Sequence, residues 1–124
     1  MSNNVVLICL DSVRKDSFDE VSSEIASISD YSLSQCRAAS SWSPPSHASM
    51  LTGVLPSVHG VHSGQFYFDA ISDEETFLSD LTSHRVVGAS ANTHASSVFG
   101  FDRYFDDFRD VADGSVFPEA LNVK

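Results

Sequence analysis

Val5-Val6-Leu7-Ile8-Cys9-Leu10 is an unbroken β-branched and aliphatic run that stops on Asp11-Ser12. Such a run, with no polar alternation, describes a strand buried on both faces, the habit of parallel sheets covered by helices. It predicts an α/β fold and puts the Asp11 carboxylate at the strand's carboxyl end. In open α/β sheets that edge is where ligands bind. Cys9 falls inside the run and is expected in the core. With Cys36 as the only other cysteine, a disulfide framework is not predicted. The expectation is a reduced, cytoplasmic protein with two buried thiols.

Helical and strand patterns then alternate. Residues 19–29 space Val21, Ile25 and Ile28 four and three apart, as one face of a short helix does. Residues 33–39 suggest a second strand, diluted by serine. The Ser43-Pro44-Pro45-Ser46-His47-Ala48-Ser49-Met50-Leu51-Thr52-Gly53 stretch opens a helix near Pro45 and stops it on a glycine. A loop over residues 55–64 carries Pro56, His59, Gly60 and His62. Residues 73–83 fit a helix that is acidic at its start, with Phe77, Leu78 and Leu81 facing inward. Residues 85–91 form another buried strand that ends at Asn92. Aromatic and acidic side chains mix from Phe99 to Phe108, and packing explains those rings, and Trp42, better than a binding platform does. Residues 114–124 carry no pattern. Strands alternating with helices make an α/β sandwich.

Charge and terminal pattern exclude several functions. Seventeen acids stand against seven lysines and arginines, a formal charge of −10. That field repels nucleic-acid phosphates and anionic lipid, so neither nucleic acid nor membrane is an expected partner. Twelve of the acids are Asp and serine occurs 23 times, a bias suited to staying hydrated in high salt. The first residues hold no basic and apolar leader, and no apolar run is long enough to span a bilayer.

Several catalytic templates fail as well. The chain has no glycine-rich phosphate loop, no zinc-spaced Cys/His set and no His-Glu-x-x-His. Gly88-Ala89-Ser90-Ala91-Asn92 approaches a nucleophile elbow but lacks its final glycine. Ser43 is better placed. A hydroxyl at a helix start sits where backbone N–H groups and the helix dipole favour an anion, so it can attack a phosphoryl or sulfuryl centre. A cation held by carboxylates lowers such a hydroxyl's pKa, and Asp11 can supply one hard oxygen. The same residues also serve plainer ends: Ser-Pro-Pro-Ser as an N-cap and turn, Asp11 as a loop cap.

The segment from Asn4 to Asp16, Asn4-Val5-Val6-Leu7-Ile8-Cys9-Leu10-Asp11-Ser12-Val13-Arg14-Lys15-Asp16, resembles the opening strand of the sulfatase family, in the alkaline phosphatase superfamily of metal-dependent hydrolases. The Ser43 to Gly53 stretch resembles that family's signature: Cys or Ser, any residue, Pro, Ser, Arg, then a small-apolar run to Thr-Gly. Pro56-Ser57-Val58-His59-Gly60-Val61-His62 resembles its Pro-x-x-His-Gly continuation, and the 88–92 and 99–102 segments are similar to later stretches of sulfatase-like chains.

The resemblance implies a partial alkaline-phosphatase/sulfatase-like sandwich with a mostly parallel central sheet. Residues 1–124 would form one domain, matching the N-terminal third of the family's catalytic domain. It implies metal-assisted hydrolysis of a small sulfate or phosphate ester. Asp11 matches the first metal-binding aspartate, for Ca, Mg, Mn or Zn, and Ser43 matches the nucleophile or formylglycine precursor. No other cofactor is implied. Two positions depart from the family. Ser12 stands where a second metal-binding Asp is usual, and His47 replaces the signature Arg that supports formylglycine, which leaves Ser43 as a direct nucleophile. His47 either bonds a substrate oxygen or holds a structural bond. His59 and His62 line the site or fix their loop. Asn92 and His94, at a strand's end, approach the substrate. The family's remaining metal ligands are expected beyond residue 124. Three readings stay open: a hydrolase portion completed by a second chain, an inactive remnant, or a small flavodoxin-like binding domain.

Overall fold

The computed structural model describes residues 4–111, so the patternless 114–124 stretch lies outside the described residues. The chain divides into two compact units, one of residues Val5–Ala38 and one that includes the described residues from Ala39 onward.

In the first unit the apolar run at 5–10 is not a strand, and its side chains are exposed. This corrects the opening expectation. A strand persists only where its N–H and C=O groups find a partner, and among the described residues the one ladder lies elsewhere. Cys9 and Cys36 are both exposed, against the expected buried thiols. The helix predicted over 19–29 is two short ones, α1 (Lys15–Val21) and α2 (Ser23–Ile28). They are separated by Ser22, whose ψ of 17° leaves the helical range. Neither helix buries a residue, and Val21, Ile25 and Ile28 are exposed. Ion pairs Arg14–Asp16 and Lys15–Asp19 decorate the surface and contribute little there. Residues 33–39 form no strand.

The second unit holds the structured half of the sequence. Its helix α3 (Ser43–Thr52) starts two residues before the predicted Pro45. Trp42 is the extended N-cap, and the prolines fill first-turn positions whose N–H groups an α-helix does not use. Gly53 ends the helix at φ 72°, with its N–H on the Ser49 carbonyl at 2.9 Å. A single turn, α4 (Pro56–His59), comes next and closes in the same way on Gly60.

Residues 73–83 also depart from expectation. Extended Thr76 (φ −101°, ψ 146°) interrupts the pattern, leaving two 3-10 turns at Asp73–Glu75 and Phe77–Asp80. The first is fixed by a capping box between Ser72 and Glu75. Phe77 is exposed, not inward, whereas Leu78 packs on the core.

Strand β1 (Val87–Ser90) occupies the centre of the predicted 85–91 strand and pairs in parallel with β2 (Asp107–Asp110), in register from Val87↔Asp107 to Ser90↔Asp110. The fold is thus α/β with parallel pairing. β1 is only half-buried, because a two-stranded sheet leaves much of each strand in solvent. Gly88 is required at this crossing: a Cβ there would lie 2.6 Å from the Phe105 ring and 2.7 Å from Phe108. The core consists of Ala48, Leu51, Val61, Phe68, Ile71, Ala95, Phe101 and Tyr104, flanked by Leu78, Phe99, Phe105 and Phe108. The aromatic run from 99 to 108 therefore packs, as its sequence suggests. The Tyr104 hydroxyl donates to the Phe68 and Ile71 carbonyls, and burial pushes its phenol pKa up.

Candidate functional site

The first turn of α3 shapes everything around Ser43. Ser43 is the first helical residue, and the next two positions are prolines. Of the first three helical residues only Ser43 carries an N–H, and the Ser46 N–H goes to the Trp42 carbonyl at 3.3 Å. The helix start keeps its dipole but few of the backbone donors that the sequence expectation assumed. Two side chains hold the turn instead. Ser46 Oγ donates to the Ser40 carbonyl at 2.8 Å and accepts the Ser40 N–H at 3.2 Å. Buried His47 places Nδ1 2.8 Å from the Ser43 carbonyl. A carbonyl only accepts, so that nitrogen is the protonated one.

A donor arrives from the other end of the unit. Asn92 Nδ2 donates to Ser43 Oγ at 3.1 Å. The orientation of this amide is fixed by its other bonds: Asn92 Oδ1 accepts the His94 N–H at 2.8 Å, so the NH₂ group is the one turned to Ser43. Ser90 Oγ accepts the Asn92 N–H at 3.1 Å and anchors the loop to the end of β1. Ser90 is thus spent on Asn92, and its spacing two residues upstream is the serine-turn signal that identifies this role. His94 meets Trp42 edge-on, with ring centroids 6.0 Å apart, and stacks on Phe99 at 5.4 Å. Ser43, His47 and Asn92, three of the predicted site residues, therefore stand together, with His94 alongside.

His59 lies under α3. Its Nδ1 accepts the Val61 N–H at 3.1 Å, so Nε2 carries the hydrogen toward Ser49 Oγ at 2.9 Å. A catalytic base needs a lone pair on the serine side, so this Ser–His pair has the wrong tautomer for nucleophile activation. Burial holds the His59 pKa below its ordinary 6.5, against a smaller upward pull from the Pro45 carbonyl. The neutral ring is what Val61 requires. Its stabilisation is complete above pH 6.5 and lost as pH falls through the lower folded value. His59→Asn should therefore flatten the loss of stability below about pH 6.5 in denaturant titrations. Parallel slopes for variant and parent would refute this. His62, in the same loop, accepts the Gly64 N–H on Nδ1 at 3.0 Å.

Asp11 belongs to the other unit. Its Oδ1 accepts the Ser12 hydroxyl at 3.0 Å, and Ser12 adopts φ 61°, a left-handed backbone that side chains other than glycine adopt at a cost. Partial desolvation of the sulfur by its neighbours, with the Asp11 charge second, raises the pKa of the exposed Cys9 thiol. Among the described residues no three His, Cys, Asp or Glu side chains stand together as a cation-binding group. A hard divalent cation takes six or more oxygens. The donors described do not fit a resident metal.

A cleft of about 340 Å³ lies between residues 73–86 and 103–106. Its charges are used internally, Arg103 by Asp73 at 3.4 Å and Asp106 by the Val86 N–H at 2.7 Å. No helix among the described residues is long and apolar enough to cross a membrane.

A family model described as type I phosphodiesterase / nucleotide pyrophosphatase matches residues 5–100, well over half of the chain. No curated protein and no solved structure matches it. The superfamily is the one the sequence resembles, that of alkaline phosphatase, but the matching branch is the phosphodiesterases; sulfatase kinship rests on the motif resemblance alone.

Proposed function

Because the chain belongs to the type I phosphodiesterase / nucleotide pyrophosphatase family, we propose that it acts on phosphate diesters or pyrophosphate linkages, with Ser43 as the nucleophile and Asn92 as its hydrogen-bond donor. The observation that supports this reading best is the 3.1 Å bond from Asn92 Nδ2 to Ser43 Oγ. An amide N–H aimed at a serine oxygen steadies the negative charge that builds there and on the phosphoryl oxygens beside it. The prolines after Ser43 remove two backbone donors from the helix start, so a side-chain donor fills a real deficit.

In the attack, an Oγ–P bond forms as the bond from phosphorus to the leaving oxygen breaks, and the serine proton ends on the departing alcohol. Water then attacks phosphorus, the Oγ–P bond breaks, a proton from the water returns to Ser43 Oγ, and the phosphate monoester leaves. Sulfate esters fit less well, because the chain has His47 in place of the arginine that formylglycine enzymes use. His47 and His59 both have ring nitrogens turned to protein partners, so this reading gives them scaffold roles.

The test is an assay of the full chain on bis(4-nitrophenyl) phosphate and on 4-nitrophenyl sulfate, with and without added divalent cation. The diester should be the preferred substrate. Asn92→Asp keeps the acceptor for the His94 N–H but removes the donor to Ser43, and should lower kcat about 10²-fold. A preference for sulfate, or an Asn92→Asp variant as fast as the parent, would overturn the reading.

A further inference from the structure

We propose that His47 is a positioning residue for Ser43, holding the first turn of α3 so that Ser43 Oγ stays within reach of Asn92; this rests on the reading of Ser43 as the nucleophile. The turn needs such a hold. Helix ends fray, and this one has prolines at its second and third positions, with its Ser46 N–H bonded at a long 3.3 Å. The His47 Nδ1–H adds a 2.8 Å bond to the carbonyl of Ser43 itself. A carbonyl has two lone pairs, so this bond does not displace a helical one.

The imidazole is in turn fixed from behind. It is 8% exposed and meets the Phe101 ring edge-on, at 5.8 Å between centroids and 88° between planes. Phe101 packs on fully buried Phe68 at 4.8 Å. A rigid path thus runs from the core through His47 to the peptide of Ser43. Asn92 is anchored separately by Ser90 and His94. Two independently held groups meet at Oγ, and a shift of the first turn by a fraction of an ångström lengthens the bond between them. Attack geometry is sensitive to displacements of that size.

Two variants separate the hydrogen bond from the packing. His47→Phe keeps a ring against Phe101 and loses the donor, whereas His47→Asn keeps a donor where Nδ1 stood and loses the ring. The Asn92 side-chain amide signal of the ¹⁵N-labelled full chain is the first readout, and it needs no turnover. Ser43→Ala defines where that signal moves when the Ser43 bond is absent. His47→Phe should move it toward that position, and His47→Asn should leave it near the parent's. The second readout is kinetic. His47→Phe should lower kcat about tenfold with KM unchanged, and His47→Asn should return most of the loss.

An unmoved Asn92 signal in His47→Phe overturns the proposal. If that variant fails to fold, an Asn92 signal displaced in His47→Asn does the same. Failure of the nucleophile reading looks different: Ser43→Ala would then keep its turnover, whatever the histidine variants do to the amide signal.

Discussion

Ser43→Ala removes at least about 10⁴-fold of phosphodiester turnover, the scale on which enzymes lose activity when a covalent nucleophile is deleted. The same substitution leaves the fold almost untouched. Ser43 lies at a helix start whose N-cap is Trp42, so it is not itself the capping residue. Alanine is readily accommodated in a helix. The substitution removes the acceptor for Asn92 Nδ2 in a half-buried place, where water can replace it. The cost should stay near 0.5–1 kcal/mol, within the usual range for a neutral hydrogen bond. The measurement is paired: turnover of bis(4-nitrophenyl) phosphate, and a denaturant midpoint for parent and variant. Mass spectrometry of the parent with a slow diester should also find the phosphoryl adduct on the peptide that contains Ser43. Unchanged turnover sinks the nucleophile assignment. Lost turnover with a collapsed midpoint would assign Ser43 to the fold instead.

That pairing was half legible in the sequence. Local chemistry fixes the helix: two prolines can open but not continue one, and Gly53 alone can close it in the left-handed conformation. The β-branched 85–91 segment likewise announces β1, and so places Asn92 beyond the strand's end. Their meeting could not be read off, because Asn92 and Ser43 are 49 residues apart and only tertiary packing brings them together. β2 was hidden for another reason. Asp107-Phe108-Arg109-Asp110 is charged at three of its four positions, yet its backbone pairs because a half-buried two-stranded sheet asks little of the side chains. The apolar run at 5–10 misled in the opposite direction. Its composition suits a doubly covered strand, but composition supplies no partner for the backbone. Over residues 73–83 the spacing of Phe77, Leu78 and Leu81 suits a helix, but Thr76 bonds its hydroxyl back to the Asp73 carbonyl at 2.9 Å and breaks the turn there.

Phe68→Ala is the substitution that should test how far the site depends on the core behind it. Phe68 is fully buried, packs on Phe101 at 4.8 Å, and lends its carbonyl to the Tyr104 hydroxyl. Truncating a buried phenylalanine removes its transfer free energy and leaves a cavity, together about 3–5 kcal/mol. That is a large part of the roughly 5–15 kcal/mol that holds a typical domain together. Among the described residues the second unit's core is eight buried side chains, a small number to relax into the gap. The denaturant midpoint should fall steeply with an unchanged slope. Because Phe101 supports His47 from this side, the Asn92 amide signal should lose definition under conditions in which the variant is still mostly folded. Phe68→Leu, which refills much of the volume, should recover more than half of the stability and the sharp signal. A midpoint shift under about 1 kcal/mol for Phe68→Ala would mean that the ring is not buried in solution. The packed path from Phe68 through Phe101 to His47 would then not be what holds Ser43 in place.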